Sequence, residues 1–203
     1  MRKFLCFAVL LFVCGLRAVA QDNPKSEFFA GYSYLHVGSP GGTASSIPAG
    51  FNMDFTWYFL RVLGVTADFE YHHKNDYGPG QSATVLGVVG GPRAKARFGR
   101  LEPFAHALFG TTRVSLSYIS IPTDNDFAFS TKLGGGLDVA VGRRLAVRVG
   151  EFNYYHTNFS GGAGFSNIGA PESGAGYHQN NFTFSAGIVL RSHTCHLIHK
   201  CSW

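Results

Sequence analysis

The body of this chain lacks cysteine, since the four cysteines lie near its two ends, at Cys6, Cys14, Cys195 and Cys201. A disulfide framework is therefore excluded as the device that holds the fold together. Charge is also scarce, because Asp, Glu, Lys and Arg make up 14% of the residues, against about a quarter in an average protein. Beyond the N-terminal segment no run of about 18 apolar residues occurs, which excludes a membrane-spanning helix.

The N-terminal segment has the three parts of an export signal. Met1-Arg2-Lys3 is positively charged, residues 4–16 are mostly apolar, and Ala18-Val19-Ala20 ends the segment with small side chains. The apolar run is too short for a transmembrane anchor. The sequence therefore predicts a signal peptide over residues 1–20 that is cleaved after Ala20.

The charge of the remaining chain is nearly balanced. Three of the 17 basic residues and none of the 12 acidic residues lie within residues 1–20, which leaves 14 basic residues and a net charge of +2. So small a charge gives no reason to expect a nucleic-acid partner. Glycine and phenylalanine are abundant, with 26 and 19 residues.

Residues 50–59 alternate between two kinds of side chain. The odd positions, from Phe51 to Phe59, are large and apolar, whereas the even positions are Gly, Asn, Asp, Thr and Tyr. A period of two predicts a strand with one apolar and one polar face. About ten residues is also the length that a tilted strand needs to cross a bilayer.

Similar segments recur along the chain and predict eight strands. They span approximately residues 27–37, 49–59, 63–72, 84–97, 103–116, 127–141, 145–157 and 181–191. Short turns at 60–62, 99–100 and 142–144 alternate with long loops at 38–48, 73–82, 117–126 and 158–180. Short turns at one end and long loops at the other are typical of an outer-membrane barrel.

The alternation also fits a lipocalin-type barrel, whose apolar face points inward. Two observations favour a membrane barrel with a polar lumen. In-phase charges lie in the middle of several strands, on the same face as many glycines. Aromatic residues cluster toward strand ends, where interfacial girdles lie in membrane barrels; these are Phe51, Trp57, Phe59, Tyr154 and Tyr155.

Two strands do not have a clear phase. In strand five, His106 and Arg113 fall on opposite faces, and in strand seven Arg148 is out of phase with Glu151 and Asn153. A bulge near residues 149–150 would put the three strand-seven side chains on one face. Alternatively, Arg148 lies at the membrane interface and extends toward water.

This phase predicts a charge network inside the barrel. Its acidic members are Asp54, Asp68, Glu70, Asp138 and Glu151, and its basic members are Arg93, Lys95, Arg97, Lys132 and Arg148, with Arg113 as a further candidate. An eight-stranded barrel has room for side chains and little else, so these charges must pair. We expect a packed structural interior, with a narrow gated pore as the alternative.

The short turns also predict which residues face each other. A turn centred on Arg61 places Asp54 opposite Asp68, and because two carboxylates repel each other, a base from across the lumen should lie between them. The same turn places Thr56 opposite Thr66. A turn at 142–144 places Asp138 opposite Arg148.

Five segments resemble the OmpA-like outer-membrane β-barrel family, especially its stand-alone barrel branch in Gram-negative bacteria. They are GVTADF at 64–69, GPR at 91–93, PFAHALFG at 103–110, GGGLDV at 134–139 and NNFTFSAGIV at 180–189. The resemblance implies an all-β, eight-stranded antiparallel up-and-down transmembrane β-barrel over residues 21–191, with periplasmic termini and external loops. OmpA itself carries a second, peptidoglycan-binding domain, for which this chain has no room.

Residues 192–203 depart from the family, whose members usually end at the last strand with an aromatic residue. This predicted periplasmic tail is rich in His and Cys and ends in Trp203. We expect a Cys195–Cys201 disulfide or an unstructured tail, with a metal site as the alternative, and no cofactor. The glycine-rich segment 161–164 predicts a surface loop and not a phosphate-binding loop.

An enzyme is a third functional hypothesis. Lipid A deacylases are also eight-stranded barrels with a His-x-Ser site, but here His156-Thr157-Asn158 has asparagine in place of the serine nucleophile. We therefore expect a non-enzymatic, monomeric structural protein of the outer membrane that contacts membrane lipid and lipopolysaccharide. Its exposed loops would serve adhesion or envelope integrity, through a partner that the sequence does not identify.

Overall fold

The computed structural model describes residues 24–38, 45–78, 81–118, 121–159 and 177–192. The predicted signal peptide, the glycine-rich segment 161–164 and the tail from residue 193 lie outside the described residues. The strands are β1 (Ser26–Val37), β2 (Ser45–Tyr58), β3 (Leu63–Gly78), β4 (Gln81–Lys95), β5 (Leu101–Tyr118), β6 (Ile121–Ala140), β7 (Leu145–Phe159) and β8 (Tyr177–Ser192). Within the described residues, no helix is long and apolar enough to cross a membrane.

The eight strands form a closed, all-antiparallel barrel. Each strand pairs with its neighbours in sequence, and β1 also pairs with β8. The predicted fold class is therefore confirmed. We call the end that carries the connections 59–62, 96–100 and 141–144 the turn end, and the opposite end the loop end. In outer-membrane barrels the short turns face the periplasm.

The polar face of each strand points inward along most of the barrel. Asp54 and Thr66 each expose 1% of their surface, whereas Phe55 and Val65 expose 49% and 50%. A lipocalin-like arrangement would reverse these values. The exterior instead presents Phe, Leu, Val and Ile side chains from all eight strands, which suits contact with lipid.

Two of the predicted long loops are wrong. The β3–β4 ladder continues through Lys74 opposite Ala83 to Gly78 opposite Gln81. The β5–β6 ladder continues through Leu116 opposite Asp124 to the final bridge of Tyr118 with Ile121. We call the exposed Phe, Leu, Val and Ile side chains of the exterior the apolar belt. Past this belt no face needs to be apolar, so the period-two pattern disappears. The backbone hydrogen bonds of the ladder nevertheless continue, since they do not depend on that pattern.

Bulges account for the phase changes along two strands. The predicted bulge in β7 is confirmed, because the ladder to β6 passes from Gly150 to Arg148 and leaves Val149 unpaired. This bulge turns Arg148, Glu151 and Asn153 to the lumen together. A second irregularity in β2, between Ile47 and Gly50, was not predicted.

Two predicted placements are wrong. Tyr155, assigned to an interfacial girdle, is buried in the lumen, because it alternates with the exposed Tyr154. Arg113, a candidate for the lumen, is exposed on the outer face, with its guanidinium carbon 5.8 Å from the ring centre of Phe127. His106 points inward, so the two strand-five residues do lie on opposite faces.

Candidate functional site: the lumen

The turn end of the lumen is filled by a charge cluster centred on Lys95. Its ammonium donates to Glu27 at 2.5 Å and to Asp138 at 2.7 Å. Arg191 donates to Glu102 at 2.5 Å and approaches Glu27 within 3.6 Å. These contacts join β1, β4, β5, β6 and β8 across the interior, so the cluster ties distant strands together.

Arg148 occupies the centre of the lumen. Its guanidinium donates to Asp138 at 2.9 Å, and to Asp54 and Glu151 at 2.6 Å each. The planar cation also lies between two aromatic rings, 4.0 Å from the centre of Phe29 and 4.4 Å from that of Phe104. Three carboxylates and two ring faces therefore replace the water that this cation loses on burial. The predicted pairing of Asp138 with Arg148 is confirmed.

Arg93 completes the coordination of Asp54. It binds both carboxylate oxygens, at 2.9 and 3.0 Å, in the bidentate geometry that suits a guanidinium. The same side chain donates to Thr56 at 3.0 Å. His106 lies 3.3 Å from Arg93 and 2.8 Å from Asn153, so it extends the network toward β7.

A second cluster lies nearer the loop end, around Lys132. Its ammonium donates to Asp68 at 3.0 Å and to Glu70 at 2.9 Å. Glu70 also accepts a hydrogen bond from Ser33 at 2.6 Å, and Asn52 donates to Asp68 at 2.7 Å. Each carboxylate is thus bound by more than one group.

The predicted register between β2 and β3 is confirmed, since Asp54 faces Asp68 and Thr56 faces Thr66. A single base was expected between the two carboxylates, and the arrangement differs. Asp54 binds Arg93 and Arg148, while Asp68 binds Lys132. The repulsion is relieved because each carboxylate has its own cation.

All ten residues assigned to the lumen from the sequence face the interior, and nine of them are fully buried; Arg97 lies at the turn end just beyond β4. The sequence analysis missed Glu27, Glu102 and Arg191. The signal for Glu27 and Arg191 was their phase, because each alternates with exposed apolar neighbours in β1 or β8. Glu102 was missed because the predicted strand began at residue 103, whereas β5 begins at Leu101.

The interior is not polar throughout. Toward the loop end, apolar side chains from five strands pack against one another inside the barrel; they are Leu35, Val37, Ile47, Ala83, Val85, Val114 and Ala128. We call this group the apolar plug. Beneath it, Tyr155 forms a hydroxyl pair with Thr112, which lies 2.6 Å from Ser130. The plug and the charge clusters occupy the lumen at different heights. An apolar constriction disfavours water and ions.

The sequence matches the family model for the outer membrane protein beta-barrel domain over residues 6–189. The chain belongs to this family. Its membership and its closed barrel place it in the outer membrane. Among curated proteins none matches the sequence.

Solved structures of outer-membrane barrels share the fold. Neisserial surface protein A is 11% identical, with a TM-score of 0.61 over 82% of this chain and 97% of that chain. Ail, the attachment invasion locus protein of Yersinia pestis, is 15% identical, with a TM-score of 0.54 over 82% of this chain and 99% of its own. The N-terminal barrel of Pseudomonas aeruginosa OprF is 6% identical, with a TM-score of 0.51 over 82% and 97%. At such identities the likeness concerns the fold alone.

Proposed function

We propose that the protein is a structural, non-conducting barrel of the outer membrane whose loop end makes contacts outside the cell. The observation that carries this proposal is the filled lumen. Arg148 binds the carboxylates of Asp54 on β2, Asp138 on β6 and Glu151 on β7. The apolar plug lies between this residue and the loop end. An eight-stranded barrel is just wide enough for such side chains, so a permanent aqueous path has no room.

Conductance in planar lipid bilayers tests this proposal. We expect no discrete openings from the purified full-length protein, whereas a general porin reconstituted in the same way conducts. Openings whose ion selectivity changes in Asp54→Asn would show that ions pass the central cluster, and would favour the pore alternative. A selectivity unchanged by that substitution would point to a contaminating porin.

The exposed hairpins are the part of the molecule best suited to binding. The β3–β4 and β5–β6 ladders continue past the apolar belt, so paired strands extend to the loop end. Ail, which shares the fold, is called the attachment invasion locus protein. Adhesion or envelope integrity is the corresponding proposal here. Deleting residues 115–124 should reduce binding of whole cells to their target without changing the amount of barrel in the membrane.

A lipid-modifying enzyme is less well supported. His156 points outward and its Nδ1 lies 2.8 Å from the amide oxygen of Asn180, while Thr157 is buried in the lumen. Neither is arranged as a base beside a nucleophile. The chain is therefore proposed to be non-enzymatic and to work without a cofactor.

We further propose that the chain is exported with cleavage after Ala20 and is monomeric, with lipid and lipopolysaccharide around its apolar belt. N-terminal sequencing of the protein from outer-membrane fractions should begin at Gln21. Mass spectrometry before and after reduction tests the Cys195–Cys201 disulfide in the proposed periplasmic tail.

A further inference from the structure

Two histidines lie side by side on the outer face of β7 and β8, near the loop end. The ring centres of His156 and His178 are 5.6 Å apart, and their ring planes differ by 20°. In the β7–β8 ladder His156 faces Asn180 and His178 faces Asn158, so the two imidazoles are diagonal neighbours on one face. His156 is half-buried and His178 is exposed. We call these two residues the imidazole pair.

Asn180 fixes the tautomer of His156. Its amide oxygen lies 2.8 Å from Nδ1 of His156 and accepts a hydrogen bond from the hydroxyl of Tyr154 at 2.7 Å. Because an amide oxygen can only accept, Nδ1 carries the ring proton and Nε2 keeps a lone pair. Tyr154 also stacks on His156, with ring centres 6.3 Å apart and planes 18° apart. Histidines that bind metal ions have this arrangement, in which one nitrogen donates to an oxygen and the other faces the ion.

The imidazole pair has ring nitrogens that the protein does not use. Neither Nε2 of His156 nor either ring nitrogen of His178 hydrogen bonds to a residue that the structure describes. His73 on β3 differs, because its Nδ1 lies 2.9 Å from the hydroxyl of Thr84 and its Nε2 lies 2.7 Å from the amide oxygen of Asn75. The imidazole pair therefore has lone pairs to offer to an ion, whereas both nitrogens of His73 are engaged.

The spacing of the imidazole pair suits one shared ion. A zinc ion lies about 2.0–2.1 Å from an imidazole nitrogen, so two rings that bind it at a tetrahedral angle have centres about 5 Å apart. The observed 5.6 Å is close to this spacing. His178 is exposed, so rotation of its side chain can turn a nitrogen toward Nε2 of His156. Among the described residues no group of three or more His, Cys, Asp or Glu could hold a metal, so water would complete the coordination.

We propose that the imidazole pair binds a divalent late transition-metal ion, such as Cu²⁺ or Zn²⁺, on the outer surface of the barrel. Imidazole is a preferred ligand of these ions, and Cu²⁺ binds most tightly among the first-row divalent ions. The ion is a ligand of this surface and not a cofactor of the structural role. The inference holds whether or not the lumen conducts, since it concerns two side chains on the outer face.

Titration of the full-length protein with Cu²⁺ in detergent micelles tests the proposal, with electron paramagnetic resonance to count the bound nitrogens. The His and Cys residues of the tail could also bind the ion, so they are replaced in the background variant H193Q/C195S/H196Q/H199Q/C201S. In this background we expect one tightly bound ion per chain, with couplings from two imidazole nitrogens. Loss of an outer-shell partner alone costs about 10- to 100-fold in affinity, so H156Q and H178Q should each weaken binding at least about tenfold. Each should also leave one nitrogen coupling.

H73Q in the same background is the matched control. It should leave the affinity and the nitrogen count unchanged, because both ring nitrogens of His73 have partners. Heat-modifiable migration on gels confirms that each variant folds. Unchanged affinity in H156Q or in H178Q, or an equal loss in H73Q, would overturn the proposal. So would the loss of bound Cu²⁺ on replacing the tail residues alone, which would assign the ion to the tail.

Discussion

Arg148 lies inside the barrel, away from the lipid-facing surface, and pairs with carboxylates on three strands. It forms ion pairs with Asp54, Asp138 and Glu151 at a position buried in the lumen. Burying a cation is favourable only when its partners replace the water that it loses. In the same way, each buried carboxylate needs a cation or a hydrogen-bond donor beside it.

Replacing Arg148 by alanine should lower the free energy of unfolding by about 3–5 kcal/mol, because buried carboxylates lose their partner. Urea titration of the refolded barrel in lipid measures this change. Arg100→Ala, in an exposed turn, is the control and should change stability by less than about 0.5 kcal/mol. Equal effects of the two substitutions would contradict the central role of Arg148.

The Lys132 cluster allows a direct measurement of pairwise coupling. In a double-mutant cycle of Asp68→Asn and Lys132→Met, we expect an interaction energy of about 1–3 kcal/mol, because the two side chains form a buried pair at 3.0 Å. Ser33→Ala with Lys132→Met is the comparison, since Ser33 bonds Glu70 and not the ammonium. A coupling near zero for Asp68 and Lys132 would show that Glu70 alone holds the lysine.

At the scale of elements, the turns differ in what they require of their glycines. Gly99 has a positive φ of 65° and opens the two-residue turn between Phe98 and Leu101. Glycine at this position is typical of a type II′ hairpin turn, whose twist matches the flanking strands. Gly142, in the β6–β7 turn, does not have a positive φ.

Gly99→Ala should therefore destabilise the barrel by about 1 kcal/mol, since an L side chain disfavours positive φ. Gly142→Ala is the matched control and should be neutral or slightly stabilising. A Cβ at either position meets no atom within 4 Å, so steric overlap does not confuse the comparison. Chemical denaturation of both variants in the same lipid measures their free energies of unfolding. A larger loss of stability in Gly142→Ala than in Gly99→Ala would contradict the turn assignment.

The length of the β5–β6 ladder gives a prediction about exchange. Backbone pairing through Leu116 and Asp124 should slow hydrogen exchange of amides between Thr111 and Leu116, although these residues approach the loop end. Peptide-level hydrogen exchange in nanodiscs measures this protection, with the short β2–β3 turn at 59–62 as the reference. Exchange as fast as in that turn would mean that the hairpin is not ordered in solution.

The strands and their faces could be predicted because lipid and lumen demand opposite side chains at alternate positions. Residues such as Asp54, Phe55 and Thr66 carry that demand in their identity. The extensions of the β3–β4 and β5–β6 hairpins could not be predicted, because beyond the apolar belt neither face of a strand has to be apolar. The apolar plug was also missed, since Leu35 and Ile47 have the residue types of the outer face. Leu35 keeps the phase of Glu27 and Ser33, whereas the irregularity in β2 puts Ile47 out of phase with Asp54 and turns it inward.

At the scale of the whole molecule, barrel closure should make the protein resistant to detergent. The backbone ladder runs without a break around all eight strands, and the charge network connects these strands across the lumen. Closed membrane barrels stay folded in sodium dodecyl sulfate until they are heated. We expect unheated protein to migrate faster than boiled protein on gels, and to be recovered with outer-membrane fractions. Identical migration of unheated wild-type protein and boiled protein would contradict a closed barrel.

The contact between Glu27 on β1 and Arg191 on β8 has a consequence for biogenesis. The first and last strands meet only when the cylinder is complete, and until then neither Glu27 nor Arg191 has all of the partners that it has in the closed barrel. An open sheet with some strands absent would also leave Lys95 and Arg148 without some of their carboxylate partners, which costs free energy. We therefore expect assembly to be all-or-none, with the pairing of β1 and β8 as the last step before the barrel is released into the bilayer.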